Sequence, residues 1–475
     1  MSRRLVWGVG DSVVSSVATF IVGVYATRTL TLEELGAYGL FFAGSIVLAT
    51  GFSAQLFFLP AEVALAEHTP DEQIATLPRT ALMGLPIAAA TSGVAGLACA
   101  AILGFDVDPI LAFGAIATGA AWPIQDHLRR LLHQVGASGT ASAISIVQLL
   151  IVTSVVLEGI AFDASPVVVP FTALLTANVG SAIFGLWLAL QARRRARGER
   201  PRLRSVVAVG KWLVVAGQAE QIGAFVALAS LNWLAGRSAL GEYETARLLA
   251  QPMIVLSFGL QNFLRGPAMA AVAARDREAG RRTANGYLWL LGGAAVAYAL
   301  VAGIEWPGNP FVSFFPAAYG LDGMVALTIL AAAVMQSKGI YGLQALAGKQ
   351  ERELARVTLP NAPVAPVVVT ALAVPLGAYA VPVGTVADRA LWQLRFRPVF
   401  NSLFDPDPAD DAASHDRPAS PDGHVPSAIE PLPELEQPPP RSVSNGLAHP
   451  VHGASDAASG PGDGSAPHVV GDDEP

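Results

Sequence analysis

The stretch QARRRARGERPRLRSVVAVGK, residues 191–211, decides how the rest of the chain is read. It holds Arg193, Arg194, Arg195, Arg197, Arg200, Arg202, Arg204 and Lys211. Each arginine at the centre of a membrane helix costs about 2.5–3.5 kcal/mol on insertion scales. The run therefore lies in water, although long apolar segments flank it on both sides. It reads as a solvated cytoplasmic linker, not as a nucleic-acid patch, and it divides the chain into two comparable halves.

Composition supports that reading. Of 475 residues, 52% are hydrophobic and only 14% are charged, with a mean hydropathy of +0.47. Soluble domains are about one quarter charged. The expected fold class is an all-α polytopic membrane protein. The net charge of −7 misleads, because the acid is concentrated near the C-terminus. The single cysteine, Cys99, excludes a disulfide framework and a cysteine metal site. No small-residue cleavage site follows the first apolar core, so that segment is expected to remain as a helix.

Twelve membrane helices are expected. The first half gives 5–27, 37–59, 81–104, 108–125, 139–162 and 165–191. The second gives 209–235, 241–264, 285–306, 319–336, 361–375 and 377–394. The expected domains are an N-terminal bundle (1–192), the linker (193–208), a C-terminal bundle (209–400) and a tail (405–475). That tail is rich in Pro, Asp, Ser and Gly, and lacks the apolar residues needed to offset ordering entropy, so disorder is expected there. Its histidines, His415, His424, His449, His452 and His468, match no metal-site spacing.

Orientation follows from Lys and Arg. With the N-terminus inside, Arg3, Arg4, Arg79, Arg129, Arg130, the linker, Arg265, Arg275, Arg277, Arg281, Arg282, Lys338, Lys349, Arg352, Arg356, Arg389, Arg395 and Arg397 fall on the inner side. Only Arg28 and Arg237 fall in outer loops. Both termini are thus expected in the cytoplasm.

The halves repeat. TLEELGAY (31–38) aligns with GRSALGEY (236–243), so that Leu35, Gly36 and Tyr38 fall on Leu240, Gly241 and Tyr243, an offset of 205. Each block follows a first helix and opens a second. QDHLRRLLHQVG (125–136), read as a loop ending the fourth helix, parallels QSKGIYGLQALAG (336–348) after the tenth. Six helices per half make this a parallel repeat, an architecture that places substrate between the bundles.

At this block the chain resembles the bacterial polysaccharide repeat-unit flippases of the Wzx (O-antigen) type. These belong to the superfamily of multidrug, oligosaccharidyl-lipid and polysaccharide exporters. ATRTLTLEELGAYGLF (26–41) is similar to their AR-L-…-EFG-Y start. Arg28, Glu34, Gly36 and Tyr38 take the family positions, and Leu35 departs from the usual Phe. The resemblance covers roughly residues 1–400. It implies movement of an undecaprenyl-diphosphate-linked sugar unit across a bacterial cytoplasmic membrane, with a lipid-linked glycan, membrane lipids and other polysaccharide-assembly proteins as partners. Hydropathy and charge alone reach only a two-bundle transporter.

Ionisable groups inside a membrane are functional candidates by default. Asp11 lies about 9 Å along the first helix from Leu5, with Ser15 and Thr19 on the same flank. Glu220 lies about 16 Å into the seventh helix, between Gln218 and Gln221. A structural acid is the plain alternative for both. Arg28 and Arg247 are outer cations that would either receive a diphosphate or snorkel to headgroups. Arg129, Arg130, Arg265 and Lys338 are inner cations whose forks or charges suit phosphate, of substrate or of lipid. Gln148, Asn178, Gln251, Gln261 and Asn262 would bond sugar hydroxyls or neighbouring helices. His127 and His133 read as interfacial residues.

No Gly-rich phosphate loop and no nucleophile beside a base occur, so neither an enzyme nor a bound cofactor is expected. Proton or sodium coupling would fall to Glu220 or Asp11. The alternatives are a multidrug antiporter of the same superfamily and, below it, a polysaccharide polymerase or ligase. The latter would need a basic outer loop, and 307–318 has no basic residue.

Overall fold

The computed structural model describes residues 3–66, 68–193, 206–303, 306, 309, 323–348 and 350–404. The linker at 194–205 and the expected tail at 405–475 lie outside them. Among the described residues all secondary structure is helical, in two six-helix bundles related by a pseudo-two-fold axis. The first half contains α1 (Arg3–Thr29), α2 (32–66), α3 (Pro70–Ile102), α4 (Pro109–Gln134), α5 (Ser138–Ala161) and α6 (Val169–Arg193). In the second, 206–273 is one helical run broken at Gly236, whose φ of 91° no L-residue adopts easily. That break separates α7 (206–235) from α8 (237–273). Then follow α9 (Arg277–Ala302), α10 (324–347), α11 (351–376, with a turn at 359–363) and α12 (Ala380–Ser402).

Helix starts follow local chemistry. The Thr31 hydroxyl accepts the Glu34 N–H, and the Glu34 carboxylate accepts the Thr31 N–H at 2.9 Å. Thr69 and Glu72 make the same box before Pro70. These boxes start α2 five residues, and α3 eleven residues, before the hydropathy limits of 37 and 81. Two π-helical stretches, Phe42–Leu48 and Ala54–Phe58, interrupt α2. Such stretches are frequent at functional sites.

Among the described residues, seven stretches are long and apolar enough to cross a membrane, and they cover α2, α3, α5, α6, α9, α10 and the α11–α12 pair. The remaining helices, α1, α4, α7 and α8, each carry at least one of the charged side chains paired below. One boundary is corrected outright. Residues 125–134 are not a loop but the last turns of α4. Their charges find partners inside the bundle, so the helix need not end where hydropathy falls.

The halves pack through α2 and α8 at the end of the bundle away from the linker. A methyl group on Gly36 would overlap the Arg237 carbonyl oxygen, and one on Gly241 would overlap that of Leu32. The repeat offset carries Leu32 to Arg237 and Gly36 to Gly241. The two contacts are therefore one contact seen twice, as a two-fold requires. The Leu-Gly-x-Tyr repeat is the seam itself. Tyr38 is buried beside it, 4.9 Å from Phe171, and Cys99 is buried beneath it with its thiol 3.5 Å from the Leu40 carbonyl.

Candidate functional site

In the first bundle, Asp11 is 2% exposed. Arg129 donates to its Oδ2 through Nε at 3.2 Å and Nη2 at 2.8 Å. His133 Nε2 donates to the same oxygen at 2.9 Å, and Ser145 Oγ donates to Oδ1 at 2.5 Å. Arg129 Nη1 also donates to Ser15 Oγ at 2.9 Å. From Ser15 the network continues through Gln148 Oε1 at 3.3 Å, while Gln148 Nε2 donates to Asn178 Oδ1 at 3.0 Å. Four helices, α1, α4, α5 and α6, thus share one polar cluster. Asp11 and Ser15 are one helical turn apart, so a single guanidinium spans both.

A second cluster lies nearby. Glu62 on α2 meets His127 Nδ1 at 2.8 Å and Arg130 Nε at 3.4 Å. Thr80 Oγ1 holds His127 Nε2 at 2.8 Å. His127 is fully buried. Both histidines, read from sequence as interfacial, hydrogen-bond to buried carboxylates inside the bundle.

In the second bundle, Glu220 on α7 takes a two-pronged contact from Arg389 on α12, at 2.8 and 3.0 Å. Lys338 at the start of the second segment of α10 reaches the same carboxylate. Arg389 also lies 3.6 Å from Asp388, whose backbone carbonyl accepts from Asn361 Nδ2 at 2.8 Å. Planar guanidinium and carboxylate match in geometry, which offsets part of their desolvation.

Between the bundles, Gln55 of α2 packs against Gly217, and Gln218 of α7 packs against Gly51. Gln218 is 2% exposed, and neither of its amide atoms has a hydrogen-bond partner. Gln55 Oε1 is likewise buried without one. A buried, unsatisfied amide costs about 1–3 kcal/mol, and both of these lie at one seam.

The other expected residues are distributed. Arg28 ends α1 and is exposed. Arg247 donates to Glu244 through Nε at 2.7 Å, with a second contact from Nη2, and its guanidinium lies 5.0 Å above the Phe42 ring. Gln221 is exposed and Gln251 half-buried. Arg265 lies in α8 with its side chain outside the described residues. Gln261 donates to the Tyr287 hydroxyl at 3.3 Å. Sequence reasoning missed Glu62, Ser145, Glu244 and Gln55. It counted Arg389 only as an inner-end cation. The signal available for Arg389 was its neighbour Asp388 in an otherwise apolar stretch.

No protein-family model matches the chain, and no curated protein sequence matches it. Solved structures do. A MOP superfamily transporter from Pyrococcus furiosus, described as having a binding pocket of reverse polarity, is 14% identical with a TM-score of 0.59. The match covers 86% of this chain and all of that one. The outward-facing form of a multidrug resistance MATE family transporter is 16% identical with a TM-score of 0.59, over 84% of this chain and 95% of that one. Its inward-facing counterpart gives 17% and 0.54, over 85% and 96%. The chain is a multi-pass membrane protein with the fold of the MOP superfamily transporters.

Proposed function

We propose that the protein is a flippase that carries an anionic, polyprenyl-diphosphate-linked oligosaccharide across a bacterial cytoplasmic membrane by alternating access. The observation that supports this reading is the balance of charge. Among the described residues, every buried carboxylate has a cationic or histidine neighbour. Asp11 has Arg129, Glu62 has His127, Glu244 has Arg247 and Asp388 has Arg389. Glu220 has two cations. An exporter of cationic drugs needs acid left over to meet its substrate. Here no buried carboxylate is left unpaired: Lys338 and Arg389 together balance Glu220 and Asp388, so the site offers ammonium and guanidinium donors without spare acid, which suits a diphosphate better than a cation.

The polyprenyl tail would stay in lipid while the head crosses between the bundles. Gln55 and Gln218, unsatisfied when the seam is closed, would bond sugar hydroxyls when it parts. Both termini would be cytoplasmic, so a cysteine at Ser238 would label from outside. The multidrug reading is kept as the second, because the MATE neighbours are described as multidrug transporters.

The test is reconstitution into vesicles. Transbilayer movement of a fluorescent polyprenyl-diphosphate oligosaccharide is measured beside gradient-driven uptake of a cationic dye. The proposal expects movement of the lipid-linked glycan and no dye uptake. Dye uptake without glycan movement replaces it with the second reading.

A further inference from the structure

A cavity lies wholly within the C-terminal bundle, away from the seam between the halves. Helices α9 and α12 meet where Arg277 bonds Asn401 and where Gly280 packs on Phe404. Beyond that contact they gape. The space, about 560 Å³, is also lined by Tyr341 of α10. One wall is aromatic. Trp392 stacks on Phe396 at 4.7 Å, and Tyr341 lies 5.8 Å from Phe396. Trp392 is fully buried, with its Nε1 already turned to Thr358. The other wall is polar, with Asn285 and Gln393 beside Arg281 and Arg397.

The charge is one-sided. No carboxylate lines the cavity. Among the described residues neither Arg281 nor Arg397 has a carboxylate partner, whereas the adjacent Arg282 is paired with Glu278 at 2.8 Å. Ala284 supplies the room, since a larger residue there would fill the gap. The cavity lies at the start of α9 and the end of α12, where Arg275, Arg277, Arg281, Arg282, Arg395 and Arg397 crowd one end of the bundle. On the topology expected from Lys and Arg, that end lies at the inner lipid headgroups. Basic pockets between membrane helices at that level bind phosphate-bearing heads.

We infer that this cavity binds the phosphate of an anionic phosphate ester, with Arg281 and Arg397 as paired forks and the aromatic wall against the organic part. Two unpaired guanidinium groups at one cavity present a donor set that fits a tetrahedral anion bidentately. An aromatic floor suits the glycerol or sugar side of such an ester and not a bare ion. The ester would come either from a membrane phospholipid or from a soluble phosphorylated metabolite. The site is independent of the path between the bundles, and so of the transport reading.

The experiment uses the full-length protein purified from nanodiscs of phosphatidylcholine containing one quarter phosphatidylglycerol. Native mass spectrometry counts retained lipid after detergent exchange. The expected result is retention of phosphatidylglycerol over phosphatidylcholine. R281Q/R397Q should lower that retention by at least about tenfold, because both forks are lost. R282Q should leave it unchanged. A parallel arm adds glycerol phosphate to delipidated protein and reads thermal stabilisation. Stabilisation there without lipid retention assigns the site to a soluble ester. The monodispersity and melting curve of R281Q/R397Q in detergent alone establish that it is folded. The inference is overturned if that variant retains phosphatidylglycerol like wild type, or if neither lipid nor glycerol phosphate distinguishes the two proteins.

Discussion

Gly36 and Gly241 face one another across the two halves, each against the carbonyl oxygen of the residue four places before the other. Backbone cannot yield as a side-chain tip can. Gly36→Ala and Gly241→Ala should each force the helices apart and lower stability by about 1–3 kcal/mol, the usual range for overpacking. Gly292 in α9 has open space around it. Gly292→Ala should be neutral or stabilise by about 0.5–1 kcal/mol through helix propensity. Thermal unfolding of the three purified variants decides the matter, and equal effects at Gly36 and Gly292 would refute the seam.

Asp11 accepts from Arg129, His133 and Ser145 in a site nearly closed to solvent. Removing one partner leaves the other charge buried. Arg129→Met alone should destabilise by about 3–5 kcal/mol, and Asp11→Asn combined with Arg129→Met should recover part of that loss. A double-mutant cycle read by chemical denaturation in detergent reports the coupling. Additive losses would mean that the pair contributes nothing as a pair.

Glu220 holds two cations. Glu220→Gln keeps size but frees Lys338 and Arg389 for an anion. On the flippase reading, the half-saturating concentration of lipid-linked glycan should fall and the maximal rate should fall with it, because the head is bound more tightly and released more slowly. Lys338→Gln should do the reverse to the half-saturation. Vesicle flux over a range of substrate density measures both, and unchanged half-saturation in the two variants would remove Glu220 from the path.

Gln218 is buried with its amide unsatisfied. Gln218→Leu fills nearly the same volume without a polar group. It should raise stability by about 1 kcal/mol while lowering transport, since the amide is needed only when the bundles part. A rise in melting temperature with full transport would show the glutamine to be dispensable.

How much of this was legible in the sequence differs by kind of feature. The helices follow from hydropathy, and the Leu-Gly-x-Tyr repeat located the seam without revealing that its glycines touch. The turns of α4 from 125 to 134 were misread because Asp126, His127, Arg129, Arg130 and His133 together look like an aqueous loop. Only distance shows that Asp11 meets Arg129 and His133, and that Glu62 meets His127 and Arg130, from more than sixty residues away in the chain. Glu220 was found from its depth in α7. Its partners were not, because the hydropathy limits of 336 and 394 leave Lys338 and Arg389 near helix ends, where cations are ordinary. Glu34, assigned by resemblance to a family position, has a visible local task as half of a capping box.

The elbow at Gly236 places a clasp between the halves. Arg237 Nη2 donates to the Leu103 carbonyl at 2.6 Å, and Nη1 reaches Asp106 at 3.4 Å. Asn232 and Trp233 both donate to the Ile102 carbonyl, at 3.4 and 3.3 Å. These carbonyls end α3 and have no helical partners of their own. A cation at that position also complements the negative end of the helix. The C-terminal half therefore caps a helix of the N-terminal half, and parting of the bundles at this end must break the cap. Arg237→Ala removes the strongest of these contacts. It should cost the closed arrangement about 1–2 kcal/mol, which shifts a two-state population roughly 5- to 30-fold toward the open one. Arg237→Lys keeps the charge but not the fork, and should fall between. Spin labels at Phe105 and Ser238, both exposed, report the separation directly. The expected outcome is a longer distance component that grows from wild type through Arg237→Lys to Arg237→Ala. If the distance distribution is the same in all three, the clasp caps α3 but does not hold the halves together.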